Sequence, residues 1–511
     1  MTGTIVEGRT VSSSLTMKAS VVVVGTGAGG SVVFRELAAK GVDVVALEDG
    51  GNHRPSSFTQ REDEMLPRLF WDGGGLTTKD MAIRVLQGRG VGGSTIHNTN
   101  LCKRTPDPIL ELWAKNHAVS GLRPAELSPL FDQIERELSV ERIPDSLVNR
   151  NNDVLRRGST ALGWRGGVLK HNRIGCQQSG FCELGCAYDA KQNAAKVFIP
   201  QGVQAGGRVY SDARVQRVVH ERGQIKGVSG VFLDAAGNEK APFTIDAPIV
   251  VLAASATASA ALAIVSGLPD PYGQLGRGLR MHPGAVVSGC FDSPIEGHHG
   301  IPQSYECTEH LSFEEGSDKR IWIIPAFAHP IGTASTLPGF GAAHMKSMRA
   351  YRNIAVLTAM LHDDSSGRVT ASDAGRPVLD YKMNEGDRSA LAKGLVACAR
   401  IMFAAGAKEV TIPAIPPVTL RSVAELDALD TSFVRPHSVP LSAVHPMGTM
   451  RMGDDPKRSV VTSRGEHHQQ KGLFVADGSL FPTSIGGPPQ ISIYTFGLHV
   501  SRAVLEAAQK G

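Results

Sequence analysis

The sequence has few aromatic residues, little net charge and few cysteines. Aromatic side chains make up 5% of the 511 residues, and the formal net charge is +4 at pH 7. A charge this small for the length of the chain argues against nucleic acid or an anionic membrane surface as a partner. The seven cysteines are an odd number, which argues against a disulfide scaffold and for reduced thiols.

Two further absences concern the location of the protein. No apolar run is long enough to span a bilayer, so we expect no membrane span. The N-terminal residues lack both a basic segment followed by an apolar one and a pair of adjacent arginines, which are the features of export signals. We therefore expect a cytoplasmic protein, or one that is exported only together with a partner subunit.

Glycine, in contrast, is abundant, and its 57 positions cluster in short loops. The first cluster follows Val21–Val24, whose four valines predict a buried strand. Gly25 allows a tight turn, Gly27 allows a pyrophosphate to approach the backbone, and Gly30 allows the following helix to pack closely on the strand. This helix is predicted over residues 29–40, with its positive N-terminus directed at the phosphates.

The residues after this helix complete the pattern of a dinucleotide site. A second apolar strand, residues 42–47, ends at Glu48, whose carboxylate is placed for a ribose hydroxyl. Residues 51–79 are polar and interrupted by proline and glycine, and we expect a surface loop there. Residues 87–95 are rich in small side chains, which suits contact with a large planar ligand.

The rest of the chain alternates helical and strand patterns. Helices are predicted over 108–141, 390–405 and 490–509, and strands over 209–219, 227–233, 249–252, 321–324, 354–361 and 472–477. Because nucleotide-type elements occur at the start, the middle and the end, we expect an α/β dinucleotide domain that is discontinuous in sequence, with a substrate domain inserted into it.

Five motifs, in this order, resemble those of the glucose-methanol-choline (GMC) family of flavin oxidoreductases. They are GTGAGG…LEDGG at 25–51, GRGVGGSTIHN at 88–98, IVVLAA at 249–254, HPMGTMRMG at 445–453 and LFVADGS at 473–479. The resemblance covers nearly the whole chain and implies FAD rather than NAD as the dinucleotide. It is nearest to the branch with a C-x5-C-x3-C loop, which includes FAD glucose dehydrogenase catalytic subunits and long-chain alcohol oxidases.

The resemblance implies a Rossmann-like FAD-binding domain and an α+β substrate-binding domain with an antiparallel sheet. We assign residues 17–107, 172–285 and 441–511 to the FAD-binding domain. Residues 108–171 and 286–440 are assigned to the substrate-binding domain.

The same resemblance implies which residues hold FAD. The ADP half is expected to meet Gly25, Gly27, Gly29, Gly30 and Glu48, with the backbone of Val215 at the adenine. The isoalloxazine ring and the ribityl chain are expected to meet Gly93, Ser94, His97, Asn98, Asp477, Gly478, Pro489 and Gln490. Proline in the first turn of the last helix would leave unpaired N–H groups directed at the N1–C2=O edge of the flavin.

His445 is the catalytic candidate, because it opens the motif in which the family keeps its catalytic histidine. An alcohol must lose a proton from oxygen as its hydride moves to flavin N5, and a neutral imidazole suits that proton. The sequence departs from the family at Pro488, where Asn or His is usual. Either His445 works with ordered water, or another group supplies the second contact. A smaller departure is Ser255, which replaces the usual glycine near the pyrophosphate.

His97 lies where some family members link a histidine covalently to the 8α carbon of the flavin. The alternative is a histidine that packs near the ring without a bond, and we favour this alternative. Precipitation of the protein with acid would separate the two, because a bonded flavin stays with the protein.

Cys176, Cys182 and Cys186 form a C-x5-C-x3-C loop. Cysteines at a similar spacing hold a [3Fe–4S] cluster in the catalytic subunit of bacterial FAD glucose dehydrogenases, and three thiolates suit such a cluster. A structural zinc would need a fourth ligand, for which His171 or Cys102 is available. Similar loops in relatives of the long-chain alcohol oxidases carry no such implication, so free thiols or a structural loop are the third alternative.

The leading hypothesis is an FAD-dependent dehydrogenase or oxidase that converts a CH–OH group of an alcohol or sugar to a carbonyl. An iron–sulfur cluster would favour an electron-acceptor protein or a quinone over O₂. One alternative is a GMC-type lyase that uses the same histidine while FAD stays oxidised, and another is a binding subunit with a vestigial flavin site. Candidates for the substrate pocket are Trp322, Phe327, His329, Phe340 and His344.

Overall fold

The computed structural model describes residues 3–326 and 329–510. Six parallel strands form one sheet, which we call the nucleotide sheet. Their spatial order is Thr4–Glu7, Arg208–Ser211, Val44–Leu47, Val21–Val24, Ile249–Leu252 and Leu473–Val475. The sheet takes strands from the start, the middle and the end of the chain, which confirms the predicted discontinuous α/β arrangement.

Two helices next to this sheet match their predictions to within about a residue. Ala28–Ala39 packs against the C-terminal helix Gln490–Lys510. Their close approach depends on glycine, because a Cβ added to Gly497 would lie 2.7 Å from the carbonyl oxygen of Gly29. The first helix also contacts Phe198–Gln204.

A separate sheet has four strands. It consists of Ala213–Glu221, Gln224–Leu233, Glu239–Asp246 and Leu15–Lys18, in that order. The single strand predicted over 209–219 is therefore two strands in two different sheets. The chain changes sheet at Asp212, whose φ of +49° interrupts the extended backbone.

The second large sheet has nine strands and is antiparallel along its main path, and we call it the antiparallel sheet. The path runs through Val418–Leu420, Glu409–Ile412, Gly284–Cys290, Ile354–Leu361, Ile321–Pro325, Tyr305–Cys307 and Gly166–Val168, with Leu441–Ala443 and Ile83–Val85 attached. The predicted antiparallel sheet of an α+β region is thus confirmed.

Helices Arg150–Ala161 and Glu385–Ala404 pack together against this antiparallel sheet. The second begins five residues before its predicted start at residue 390. Asn384 explains the earlier start, because its side chain accepts a hydrogen bond of 2.7 Å from the backbone N–H of Asp387.

The remaining elements are shorter. Two small sheets contain Arg277–Leu279, Gly367–Ala371 and Pro377–Asp380, and Val140–Arg142 with Lys170–Asn172. The other α-helices are Glu62–Leu69, Asp107–Asn116, Pro124–Glu137, Ser255–Val265, Pro330–Thr336, Gly341–Arg349 and Val423–Asp427. In the part of the chain that is described, no helix is both long and apolar enough to cross a membrane.

The surface loop predicted over 51–79 is wrong for Glu62–Leu69, which is a helix. Three acidic residues in its first turn favour the helix dipole. Met65 and Leu69 are buried in a small apolar cluster, and tertiary packing of these two side chains outweighs the polar composition.

Two main apolar cores lie under the two large sheets. The core of the nucleotide sheet also contains Trp113 and Phe131, on helices Asp107–Asn116 and Pro124–Glu137. The core of the antiparallel sheet contains Leu155 and Leu391. Residues 107–137 therefore pack with the nucleotide core, although the sequence boundaries place most of them in the other domain, and these boundaries stay a prediction.

Candidate active site

One cavity of about 1470 Å³ extends from the glycine turn of the nucleotide sheet to the antiparallel sheet. Its wall brings together His445 and every predicted cofactor residue except Gly30. These residues are Gly25, Gly27, Gly29, Glu48, Gly93, Ser94, His97, Asn98, Val215, Asp477, Gly478, Pro489 and Gln490.

Three glycines of the first motif are required by packing inside the protein. Gly25 has a φ of +100°, and a Cβ there would lie 2.3 Å from the carbonyl oxygen of Ala253. A Cβ on Gly29 would lie 1.7 Å from the carbonyl oxygen of Ala476, and one on Gly30 would lie 2.0 Å from that of Gly25. Gly30 therefore lies behind the cavity wall and serves close packing of helix on strand.

Gly27 differs from its neighbours because it faces open space. The atom nearest to a Cβ built on it is the Cα of Gly93, at 3.9 Å. The backbone at Gly27 is thus open to a group in the cavity. Across this part of the wall, Ser255 has a φ of +85°, a left-handed conformation that glycine adopts more readily.

Glu48 lies at the cavity wall with its carboxylate almost wholly buried. It accepts hydrogen bonds from the backbone N–H and the hydroxyl of Thr26, at 3.1 and 2.8 Å, and from the N–H groups of Gly50 and Gly90, at 3.0 and 3.2 Å. Burial raises the pKa of the Glu48 carboxyl, and the hydrogen bonds from Gly50 and Thr26 oppose this shift. These four bonds hold the carboxylate in one position.

Two residues that follow the segment Gly93–Ile96, Asn98 and Leu101, are hydrogen-bonded to the start of the last helix. Asn98 donates a hydrogen bond of 2.8 Å to Gln490, and Gln490 in turn donates one of 2.6 Å to the carbonyl oxygen of Leu101. Because Pro489 and Gln490 line the cavity, the first turn of the helix directs its positive end into it.

Lys191 is a buried cation that the sequence reasoning missed. Its side chain is 1% exposed, and Nζ donates to the carbonyl oxygens of Ile96, Asn98 and Cys182, at 3.2, 2.5 and 2.9 Å. Burial lowers the pKa of Lys191. The lysine joins the cysteine loop to the cavity wall, and no spacing in the sequence indicates this contact.

Asp477 caps the turn that follows the last strand of the nucleotide sheet. Oδ1 accepts the backbone N–H of Ser479 at 2.9 Å, and Oδ2 accepts the Ser259 hydroxyl at 2.5 Å. Burial raises the pKa of the Asp477 carboxyl, and these hydrogen bonds oppose the shift. The turn places Gly478 at the cavity wall.

His445 lies in the same cavity and contacts a second histidine that the sequence reasoning also missed. Its Nδ1 is 3.2 Å from Nδ1 of His282, and Nε2 of His282 accepts the backbone N–H of Gly486 at 3.0 Å. Burial and, after it, the neighbouring His282 hold the pKa of His445 well below its ordinary value. The ring of Pro488 lines the cavity without a hydrogen-bonding group, and the side chain that contacts His445 is instead His282.

His97 is buried against Phe70, with 4.0 Å between ring centroids. Among the described residues, its Nε2 has no hydrogen-bond partner. Burial, followed by the charge of Lys191, lowers the pKa of His97 to about 3, so the imidazole is neutral. His97 lines the cavity, while its Nε2 is itself buried beside Gly88.

The cysteine loop gives no support to a metal cluster. Within residues 3–326 and 329–510, no group of three or more His, Cys, Asp or Glu side chains is arranged to hold a metal ion. Cys176 and Cys186 accept backbone N–H groups of Gln178 and Ala190 at 3.4 and 3.3 Å. Burial raises the pKa of the Cys182 thiol to about 11.

The two side chains considered as a fourth ligand have other partners. Cys102 donates to the side-chain oxygen of Asn172 at 3.3 Å, and His171 is 2.9 Å from the carbonyl oxygen of Gln303 through Nε2. These contacts match the alternative of a structural loop with free thiols.

The candidates for a substrate pocket divide into three groups. Trp322 and His329 line the cavity. Phe340 is 93% exposed, and His344 bonds to the carbonyl oxygen of Ala334 at 2.9 Å. Phe327 lies outside the described residues. The outer part of the cavity is formed by the antiparallel sheet, and its apolar lining includes Ile324, Val356 and Met360.

Known proteins with similar sequences share one family. The two family models for GMC oxidoreductases match residues 66–284 and 363–497. An uncharacterised GMC-type oxidoreductase of Mycobacterium tuberculosis is 34% identical over 492 residues, which cover 95% of this chain and 75% of that protein. A long-chain-alcohol oxidase of Arabidopsis thaliana is 28% identical over 517 residues, or 96% of this chain and 68% of that protein.

Solved structures show the same fold at low sequence identity. Pyridoxine 4-oxidase from Mesorbium loti has a TM-score of 0.73 and 19% identity over 95% of this chain and 99% of its own. A formate oxidase also has a TM-score of 0.73, with 15% identity over 98% of this chain and 99% of its own. The family models cover more than half of the chain, and the chain belongs to the GMC oxidoreductase family.

Proposed function

We propose that this protein is an FAD-dependent dehydrogenase or oxidase that converts the CH–OH group of an alcohol to a carbonyl. One observation supports this proposal most strongly. His445 borders the same cavity as the glycine turn and the N-terminus of the last helix, although these three segments are far apart in the chain.

The residues of the cavity suit FAD. Space lies over Gly27, while Gly25, Gly29 and Gly30 are packed against other parts of the backbone. We assign the ADP half to the wall formed by Gly25, Gly27, Gly29, Glu48 and Val215, with Gly30 behind it. We assign the flavin half to Gly93, Ser94, His97, Asn98, Asp477, Gly478, Pro489 and Gln490.

When bound, FAD supplies the acceptor for the hydride that leaves the alcohol carbon. The chain supplies the group for the proton, and we assign this role to His445, which burial keeps neutral. The positive end of helix Gln490–Lys510 favours negative charge that develops in the cavity. We find no support for an iron–sulfur cluster in the cysteine loop, so the proposal includes none.

The outer cavity favours an alcohol with an apolar chain. Trp322, Ile324 and Met360 present apolar surface there, and a relative of this chain is named a long-chain-alcohol oxidase. Burial of such a chain contributes about 0.8 kcal/mol per CH₂ group. We therefore expect linear primary alcohols to bind more tightly than sugars.

An anaerobic titration tests this function. The holoenzyme is mixed with linear alcohols of increasing length and with sugars, and loss of the flavin absorbance is followed. We expect reduction by an alcohol, and a rate lower by about 10²–10⁴-fold in His445→Ala with FAD still bound. The exposed His437→Asn variant is the matched control and keeps the rate.

Two results would contradict the proposal. Reduction of His445→Ala at the wild-type rate would remove the assignment of the proton acceptor. Carbonyl product from a flavin that stays oxidised without oxygen would indicate the lyase alternative.

A further inference from the structure

Two histidines at the cavity wall, His282 and His445, share one hydrogen bond. Nδ1 of His282 and Nδ1 of His445 lie 3.2 Å apart. A hydrogen bond at this distance needs a hydrogen on one of these nitrogens and a lone pair on the other. The heavy atoms alone do not say which ring is the donor.

The backbone of Gly486 decides which ring donates. Its N–H is fixed by the peptide geometry and donates to Nε2 of His282 at 3.0 Å. Nε2 of His282 is therefore bare, and a neutral His282 carries its hydrogen on Nδ1. This hydrogen is donated to Nδ1 of His445, so a neutral His445 carries its own hydrogen on Nε2.

The position of His282 is held by a second set of contacts. Its φ of +51° is unusual for a residue with a side chain. The buried carboxylate of Asp363 accepts the backbone N–H groups of Met281 and His282, at 3.0 and 3.3 Å, and the hydroxyl of Tyr381 at 2.7 Å. A strained backbone held by a buried carboxylate is typical of a functional site.

We propose that His282 is a positioning residue that holds His445 in the tautomer with hydrogen on Nε2. His445 then first meets the substrate oxygen as a hydrogen-bond donor. This inference rests on the proposed function only for the identity of the substrate, an alcohol. A nitrogen that already carries hydrogen cannot accept the hydroxyl proton, so the tautomer of His445 must change before His445 can act as the proton acceptor.

The base form of His445 requires the opposite tautomer of both rings. Its hydrogen lies on Nδ1 and is donated to a bare Nδ1 of His282, which then carries hydrogen on Nε2. Each ring carries one hydrogen in both forms. The two forms interconvert by exchange of protons with water, and the net charge of the pair does not change. In the base form two N–H groups would face each other at Gly486, and the turn that contains Gly486, with its φ of +67°, must therefore move.

The same contacts oppose a positive charge on His445. An imidazolium carries hydrogen on both nitrogens, and its Nδ1–H would face the Nδ1–H of His282. The other groups around the pair are His362, Asp363, Tyr381 and Arg280. Burial and, after it, the neighbouring His362 lower the pKa of His282. The Asp363 carboxylate accepts backbone N–H groups and the hydroxyl of Tyr381, and these bonds do not involve the ring of either histidine.

Two substitutions separate the tautomer effect from packing. In His282→Gln, the amide oxygen accepts the N–H of Gly486 and the amide nitrogen donates to His445, so both hydrogen bonds are retained. In His282→Phe, both are lost while a ring remains. Far-UV circular dichroism, melting temperature and FAD content establish that each variant is folded.

Histidine ¹⁵N NMR of labelled holoenzyme reads the tautomer directly, with His445→Ala for assignment. We expect a protonated Nε2 and a bare Nδ1 on His445 in the wild type and in His282→Gln. A bare Nε2 in the wild type overturns the inference, even if no alcohol reduces the flavin. That separate failure would contradict only the proposed function.

The pH dependence of kcat/KM for the alcohol that reduces the flavin gives the second measurement. We expect the acid limb to move up by ~1 pH unit or more in His282→Phe, because His445 gains its proton more easily there. His282→Gln should keep the wild-type limb. An unchanged limb in a folded His282→Phe variant overturns the inference.

Discussion

The two ends of the cavity are built in different ways. At the nucleotide end, much of the wall comes from short contiguous motifs, and glycine leaves the backbone at Gly27 open to the cavity. At the outer end, the wall comes from strands of the antiparallel sheet and from His282 and His445, which are 163 positions apart in the chain. Local chemistry therefore determines the first end, and long-range packing determines the second.

The largest expected effects come from substitutions at the nucleotide end of the cavity. Gly29→Val should abolish folding, with a loss above about 4 kcal/mol, because the new side chain would overlap the backbone at Ala476. Gly27→Val should fold and lose FAD, since its side chain enters open space over the pyrophosphate position. Circular dichroism and the flavin absorbance of purified protein measure the two effects.

The control for this pair lies in the antiparallel sheet. Gly167 has no atom within 4 Å of a built Cβ, so Gly167→Val should keep both fold and FAD. A Gly27→Val protein that retains a full complement of FAD would contradict the assignment of this residue.

The next effect concerns the junction between the nucleotide end and the cysteine loop. Lys191→Met should leave three backbone carbonyls without their donor, at a cost of about 1–3 kcal/mol for each carbonyl that stays buried. We expect a lower melting temperature and weaker retention of FAD, measured by thermal unfolding and by dialysis. The exposed Lys170→Met is the matched control, and equal behaviour of the two variants would refute the role of Lys191.

A smaller effect concerns whether His97 forms a covalent bond to the flavin. Its neutral ring packs on Phe70, and we expect no covalent bond to the flavin. Precipitation with acid should therefore leave the yellow colour in the supernatant. Flavin that stays with the denatured protein, and is released by His97→Asn, would show the opposite.

The smallest effect is a pH dependence at the cavity wall. Burial raises the pKa of Glu183 from 4.5 to about 7, so the folded protein binds more protons than the unfolded chain between these values. The stability that this group contributes therefore falls as pH rises through this window. The melting temperature of Glu183→Gln should equal that of the wild type at pH 5 and should be about 1–3 °C higher than that of the wild type at pH 8. The control is Glu315→Gln at an exposed position, whose melting temperature should follow that of the wild type at both pH values. If Glu183→Gln also follows the wild type at both pH values, the prediction is wrong.

Much of the fold was accessible from the sequence. The strands Val21–Val24 and Ile249–Leu252 and the helices Ala28–Ala39 and Gln490–Lys510 were predicted almost to the residue, because their apolar patterns are strong and their ends carry glycine or proline. The helix Glu62–Leu69 was missed because only two buried side chains hold it.

The site was accessible to a different extent at its two ends. The motif of His445 indicated a catalytic histidine, and the gap at Pro488 indicated a missing partner. His282 stayed hidden, since the sequence contains seventeen histidines and nothing local distinguishes this one. Lys191 was also not identified, because its three acceptors are backbone carbonyls, which leave no pattern in the sequence.

By itself, the sequence determined the glycine turn, the acid at Glu48 and the family. These depend on short segments whose residue types restrict the backbone directly. Only the tertiary structure decided that His282 contacts His445 and that the amide of Gly486 selects the tautomer. Such contacts depend on where three distant segments meet, and the hydrogen on a histidine ring follows from that meeting rather than from any residue alone.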